Sequence, residues 1–120
     1  MIITLFMKGK KDSYYAEAVY DGKTLVLKQG SRIRNRTTKG INKHIVAMRN
    51  NKALVNADSI VINDITFNSP STAATFVSGT ECNGYRYWKL KDQSMQSGEK
   101  KTAAITLSEY LSIRKKEAEE

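Results

Sequence analysis

The first third of the chain is written in short apolar runs broken by polar turns. Met1-Ile-Ile-Thr-Leu-Phe-Met7 is almost continuously apolar and reads as a buried first strand. Tyr14-Tyr-Ala-Glu-Ala-Val-Tyr20 and Thr24-Leu-Val-Leu-Lys28 are strand-like and are joined at Asp21-Gly22. Asp and Gly tolerate the positive φ that a tight hairpin needs, so the three runs predict an antiparallel meander. The period then lengthens. Ile41, Ile45, Met48 and Leu54 fall at helical spacing, predicting a helix near residues 41–54 with Lys43, Arg49 and Lys52 on its outer side. Ser59-Ile-Val-Ile62 and Ile65-Thr-Phe67 return to strand character around Asn63-Asp64.

The second half opens on a helix start. Ser69 precedes Pro70, placing a capping hydroxyl before a residue suited to the first helical position, and Gly79 supplies the stop. Asn83-Gly84 reads as a turn and Tyr85-Arg-Tyr-Trp-Lys-Leu90 as a strand, with Tyr85 and Tyr87 on one face and Trp88 directed into the core. Gln93 to Thr102 is polar and loop-like. Thr106-Leu-Ser-Glu109 is a capping box opening a last helix from Leu107 to near Ala118, with Leu107, Tyr110, Leu111 and Arg114 on one side and a solvated end from Lys115. The pattern predicts a single domain over residues 1–120. Its class is α+β: a largely antiparallel sheet of five or six strands with two or three packed helices, one of them C-terminal.

Composition narrows the function classes. With 120 residues, 40% apolar, one Pro and 7 Gly, the chain has material for one core and no repeat, linker or low-complexity tract. Cys82 is the sole cysteine, which excludes an internal disulfide and a multi-thiolate metal site and points to a reducing, cytoplasmic setting. No apolar run approaches the ~20 residues of a membrane span. The lysines follow the first apolar run rather than precede it, unlike a secretory leader.

Charge changes the picture most. Lys and Arg number 20 against 12 Asp and Glu, a formal net charge of +8. Between Asp21 and Asp58 the chain carries no acid, so the excess belongs to residues 22–57. Its densest part is Gly30-Ser-Arg-Ile-Arg-Asn-Arg-Thr-Thr-Lys-Gly40. In an extended chain Arg32, Arg34 and Arg36 project to one side, and each planar guanidinium can hold two phosphate oxygens at once. The glycines and the Asn/Thr content equally suit a loop. An acid-free basic surface attracts polyanions, or else serves as a solvated face.

No catalytic or metal constellation is visible. The lone His44 has no acid near it in sequence, Cys82 lies far from it, and no phosphate-cradling glycine loop or nucleophile elbow is present. The expectation is a chain that is not an enzyme and needs no cofactor or metal. Arg32, Arg34, Arg36, Lys39 and Lys43 are the candidate phosphate contacts. Ser71, in the first turn of the Pro70 helix, could add an anion contact, while Asn83 and Tyr85, with Lys89, would stand nearer the bases. The expected partner is nucleic acid, DNA favoured over RNA. The alternative is a protein-interaction module docking its basic window on an acidic surface of a larger defence or DNA-processing assembly.

The segment from Phe67 to Lys89 resembles a bacterial domain of unknown function found on the C-terminal side of GIY-YIG nuclease-like proteins. It is also similar to the RAMA domain, associated with restriction enzymes and adenine methylases. The shared pattern is Ser69-Pro70-Ser71 with Ala73-Ala74, then Asn83-Gly84 and Trp88-Lys89. Upstream, Leu25-Val-Leu-Lys-Gln-Gly-Ser31 and Met48-Arg-Asn-Asn-Lys-Ala-Leu54 are similar to the family's Gly-Ser strand end and Arg-bearing helix. The resemblance covers roughly residues 13–92 and implies an accessory module of restriction and modification systems, its relatives proposed to recognise modified DNA. Residues 93–120 depart from the pattern as an added polar loop and helix, and the chain reads as a stand-alone version.

Overall fold

The computed structural model describes residues 2–91 and 105–119. The polar loop expected at Gln93–Thr102 lies outside the described residues, as do the side chains beyond Lys115. Strands β1 (Ile3–Lys8), β2 (Tyr15–Tyr20), β3 (Leu25–Leu27), β4 (Ile65–Phe67) and β5 (Lys89–Leu90) form one antiparallel sheet in the order β4-β3-β2-β1-β5. Helices α1 (Lys43–Arg49), α2 (Pro70–Ser78), the single turn α3 (Gly84–Tyr87) and α4 (Leu107–Glu119) complete an open α+β arrangement. None of them is long and apolar enough to cross a membrane.

Period-two alternation decides which sheet face is covered. Leu5, Met7, Ala16, Ala18, Leu25, Leu27 and Phe67 point to the helical side and are buried. Thr4, Phe6, Lys8, Tyr15, Glu17, Val19 and Val26 point the other way and are exposed or half-buried. Register fixes the arrangement: Leu5 pairs with Ala18 and Leu90, and Ala18 with Leu27. Beyond β5, Thr106 bridges Lys89 and Leu107 N–H donates to the Trp88 carbonyl (2.8 Å), so the chain adds a short edge before α4 begins. The capping box forms as expected, with Thr106 N–H on Glu109 Oε1 (2.9 Å) and Glu109 N–H on Thr106 Oγ1 (3.1 Å).

α2 is the central helix. Its side chains from Ala73 to Ser78 are all buried, and Phe76 packs its ring against Phe67 of β4 at 5.4 Å between centroids. Ser69 caps it through Thr72 N–H (3.2 Å), and Gly79 ends it at φ 77°. At its start, Trp88 is fully buried and its indole N–H donates to the Pro70 carbonyl (3.0 Å), while Gly84 N–H donates to Ser71 Oγ (2.9 Å). Both bonds press α3 onto the first turn of α2.

Three local expectations change. The strand over Tyr85–Leu90 begins only at Lys89, because Asn83 Oδ1 accepts Tyr85 N–H (3.0 Å) and so caps a helical turn rather than a hairpin. Tyr85 and Tyr87 consequently do not share a strand face. The Ser59–Ile62 strand reduces to isolated bridges at Ile60 and Val61. The helix expected over residues 41–54 is confined to Lys43–Arg49, since the Asn51 side chain bonds the Ala53 amide and competes with helix propagation.

Gly84 tests the α2–α3 contact. A Cβ at this position would fall on the Pro70 carbonyl, backbone that cannot swing aside. Gly84→Ala is expected to destabilise by about 2–3 kcal/mol through overpacking. Gly30→Ala, at φ 92° but in open space, should cost only about 1 kcal/mol for its left-handed backbone. Urea unfolding midpoints of the two variants check the difference.

Candidate functional site

The C-terminal end of α2 organises the basic segment. A helix ends with unpaired carbonyls, and here that end is buried. The chain from Ser31 to Thr38 runs across it. Arg34 N–H donates to the Val77 carbonyl (2.9 Å) and Thr38 N–H to the Gly79 carbonyl (2.8 Å). Arg49 comes up from α1: its guanidinium bonds the carbonyls of Phe76 and Arg34, with a longer contact to that of Arg36 (3.4 Å). Arg49 therefore folds inward instead of riding the outer side of its helix. Burial, and secondarily the Arg34 charge, push its pKa below the usual guanidinium value. It remains a cation, facing the negative end of a helix dipole.

The arginine segment is accordingly docked. Ser31 and Ile33 turn inward and are buried while Arg32 and Arg34 are half-buried, so the segment is extended at Arg32 and bends at Asn35, before Arg36. The Arg32 backbone bridges Tyr15 and Ile60, and its guanidinium donates to the Asp12 carbonyl (2.7 Å). That bond holds the β1–β2 turn, where Lys11 and Asp12 take left-handed φ values of 54° and 57°.

Beside this segment lies a cleft of about 470 Å³. Arg34 enters from the docked segment, Lys8 and Lys10 from the end of β1 and its turn, Arg86 from α3 and Lys89 from β5. Tyr14, Tyr87 and Phe6 supply aromatic surface; Ser13, Ser78 and Thr80 supply hydroxyls. Among the described residues no carboxylate lines it. Asp12 partly offsets Lys8 from outside at 3.3 Å, an exposed pair of small energetic weight. Burial raises the Tyr14 phenol pKa, with Cys82 and Tyr87 adding to the rise and Arg34 opposing it. A second hollow of about 490 Å³ adjoins through Lys10, Ser13 and Arg34 and adds Arg32 and Arg36, with Asp58 on its wall.

The sequence candidates thus separate. Arg34 and Lys89 meet in the cleft, and Arg32 and Arg36 border its neighbour. Lys39 and Lys43 are exposed at the approach to α1 and line neither hollow. Ser71 spends its hydroxyl on the Gly84 amide across the α2–α3 junction, and Asn83 spends its side-chain oxygen capping α3 through Tyr85 N–H. Tyr85 is half-buried against the core, and its hydroxyl bonds Tyr20. Burial and that bond push the Tyr20 phenol up to about 12. Lys28 of the basic window pairs with Asp64 at 3.0 Å.

Sequence reasoning missed Lys8, Lys10 and Arg86 and set Tyr87 behind Tyr85. The available signal was the basic run Lys8-Gly-Lys-Lys11 directly after an apolar strand. Reading Asn83-Gly84 as a helix cap would have turned Tyr87, not Tyr85, outward.

Elsewhere, His44 is exposed on α1. Cys82 is half-buried with its sulfur 3.6 Å from Ser78 Oγ, and burial raises its thiol pKa. Among the described residues no group of three His, Cys, Asp or Glu side chains is placed to hold a metal ion.

A one-sided antiparallel sheet, a buried central helix and a cationic cleft at that helix's end define a small α+β module. Residues 5–99 match the family described as Domain of unknown function (DUF4357), and the chain belongs to it. No curated protein and no solved structure matches the chain.

Arg49 holds this site together, and among the described residues no acid pairs with it. Arg49→Met keeps comparable volume but leaves buried carbonyls of Phe76 and Arg34 unpaired, and is expected to cost about 2–3 kcal/mol. Because no ion pair is lost, the difference from the parent protein in urea unfolding should persist in high salt.

Proposed function

We propose that this chain is a non-catalytic nucleic-acid-binding module that grips the phosphate backbone through its cleft, with DNA as the favoured polymer. The observation carrying this reading is the convergence of cations from three separate chain segments on one cleft whose described lining residues include no carboxylate. Gathering Lys10, Arg34, Arg86 and Lys89 costs mutual repulsion, which a polyanion relieves. The neighbouring Arg32 and Arg36 extend the track, as a polymer rather than a small anion would require. Phosphate contacts of this kind position the ligand and make binding strongly salt-dependent. An accessory role in restriction and modification, akin to RAMA domains, is consistent with the Ser69-Pro70-Ser71 and Trp88-Lys89 pattern, and a cytoplasmic setting with the single cysteine.

Fluorescence anisotropy with a labelled mixed-sequence oligonucleotide tests the reading. Affinity should fall steeply and linearly on logarithmic axes as salt rises. Arg34→Ala and Arg86→Ala should each weaken binding and lower the salt slope by about one. Arg34→Ala keeps the backbone amide that anchors α2, so the fold should survive it. Absence of binding at low salt ends the reading. If charge reversal at Arg32, Arg34 and Arg36 removes a protein partner while nucleic-acid affinity is unchanged, the cations serve protein docking instead.

A further inference from the structure

The cleft opens onto the sheet face that no described element covers, and Phe6 belongs to both. On that face Phe6 stacks against Tyr15, centroids 6.2 Å apart at 28° between planes. Tyr15 is 37% exposed, and Tyr87, across the cleft, 46%. Cross-strand register sets a lysine beside each ring of the pair: Lys89 opposite Phe6, and Lys8 opposite Tyr15. Two described acids adjoin this patch and both are engaged: Glu17 accepts from the Tyr15 hydroxyl (2.9 Å) and pairs with Lys91, and Asp12 pairs with Lys8 (3.3 Å).

We propose that the polymer is taken as a single strand, its bases stacked on Tyr87 and the Phe6–Tyr15 pair while its phosphates follow Arg34, Arg86 and Lys89. This rests on the nucleic-acid reading above and specifies the form of the ligand. A duplex keeps its base faces inside the stack and offers phosphates and groove edges, so rings that work by face-to-face stacking add little to its binding. A single strand presents every base face, and aromatic side chains interleaved with cations are the surface that uses it. The cleft also falls within the ~300–1,000 Å³ range typical of small-ligand pockets, room for one splayed nucleotide.

Anisotropy titrations at one salt concentration compare a labelled single-stranded DNA with the blunt duplex of the same sequence. The single strand should bind roughly ten-fold more tightly, the value of one good stacking contact. Tyr87→Ala should lose about that factor for the single strand and leave the duplex unchanged, while Tyr87→Phe, which keeps the ring, should restore it. Tyr15→Leu repeats the test on the sheet face, and a circular dichroism melt confirms that each variant is folded. Equal or tighter duplex binding overturns this inference, as does a folded Tyr87→Ala with undiminished single-strand affinity; both leave the phosphate-gripping reading standing. If neither probe binds, both readings fall together.

Discussion

A buried helix end is the constraint around which this molecule is organised. α2 sits inside the protein, and the carbonyls of its last turn cannot turn to water. A buried carbonyl left unpaired costs about 1–3 kcal/mol, comparable to a sizeable part of a small protein's stability. Three are met by different pieces of chain: Thr75 by the Gly79 amide, Phe76 by Arg49, Val77 by the Arg34 amide. Gly79 permits this because a Cβ there would collide with the Arg36 carbonyl. The same bonds that complete α2 draw a basic segment tightly over it.

From that docking follows the geometry of the cleft. Arg34 spends its backbone on the helix and leaves its side chain free to face Arg86 and Lys89. Arg49, by contrast, is half-buried and spends its side chain on carbonyls. The division is electrostatically sensible. A guanidinium at the negative end of a helix dipole is stabilised where it stands, whereas the cleft's exposed cations repel one another and gain only from an arriving anion. The opposite end of α2 obeys a parallel logic, with Ser71 and Asn83 consumed in fastening α3. Fastening α3 is what brings Arg86 and Tyr87 to the cleft.

The local rules of the sequence were legible wherever one residue's chemistry decided the outcome. Ser69-Pro70, Gly79 and the Thr106–Glu109 box mark helix ends by capping and backbone preference, and the structure uses all of them. The meander followed from apolar runs joined at Asp21-Gly22, and Trp88 in the core from being the one large indole of a small domain. Asn83-Gly84 was ambiguous because Asn serves both tight turns and helix caps. The choice between them was made by Pro70, thirteen residues away, whose carbonyl needs the Trp88 indole and whose backbone admits only a glycine beside it.

The acid-free window between Asp21 and Asp58 shows where the sequence stops. Linear order determined that the net positive charge of this chain is concentrated, that its fold is α+β around a largely antiparallel sheet, and that Arg32, Arg34 and Arg36 share a side if the chain is extended. The choice between strand and loop was made by the pairing of Arg32 with Tyr15 and Ile60. Linear order did not determine which charges share a surface. Arg49 is withdrawn by hydrogen bonding and Lys28 by Asp64, while Lys8, Lys10, Arg86 and Lys89 join Arg34 from outside the window. Capping and periodicity act over three or four residues and can be read along a chain. The convergence of like charges depends on β5 pairing with β1 and on a loop sealing a buried helix end, contacts between residues far apart in sequence that only the folded chain brings together.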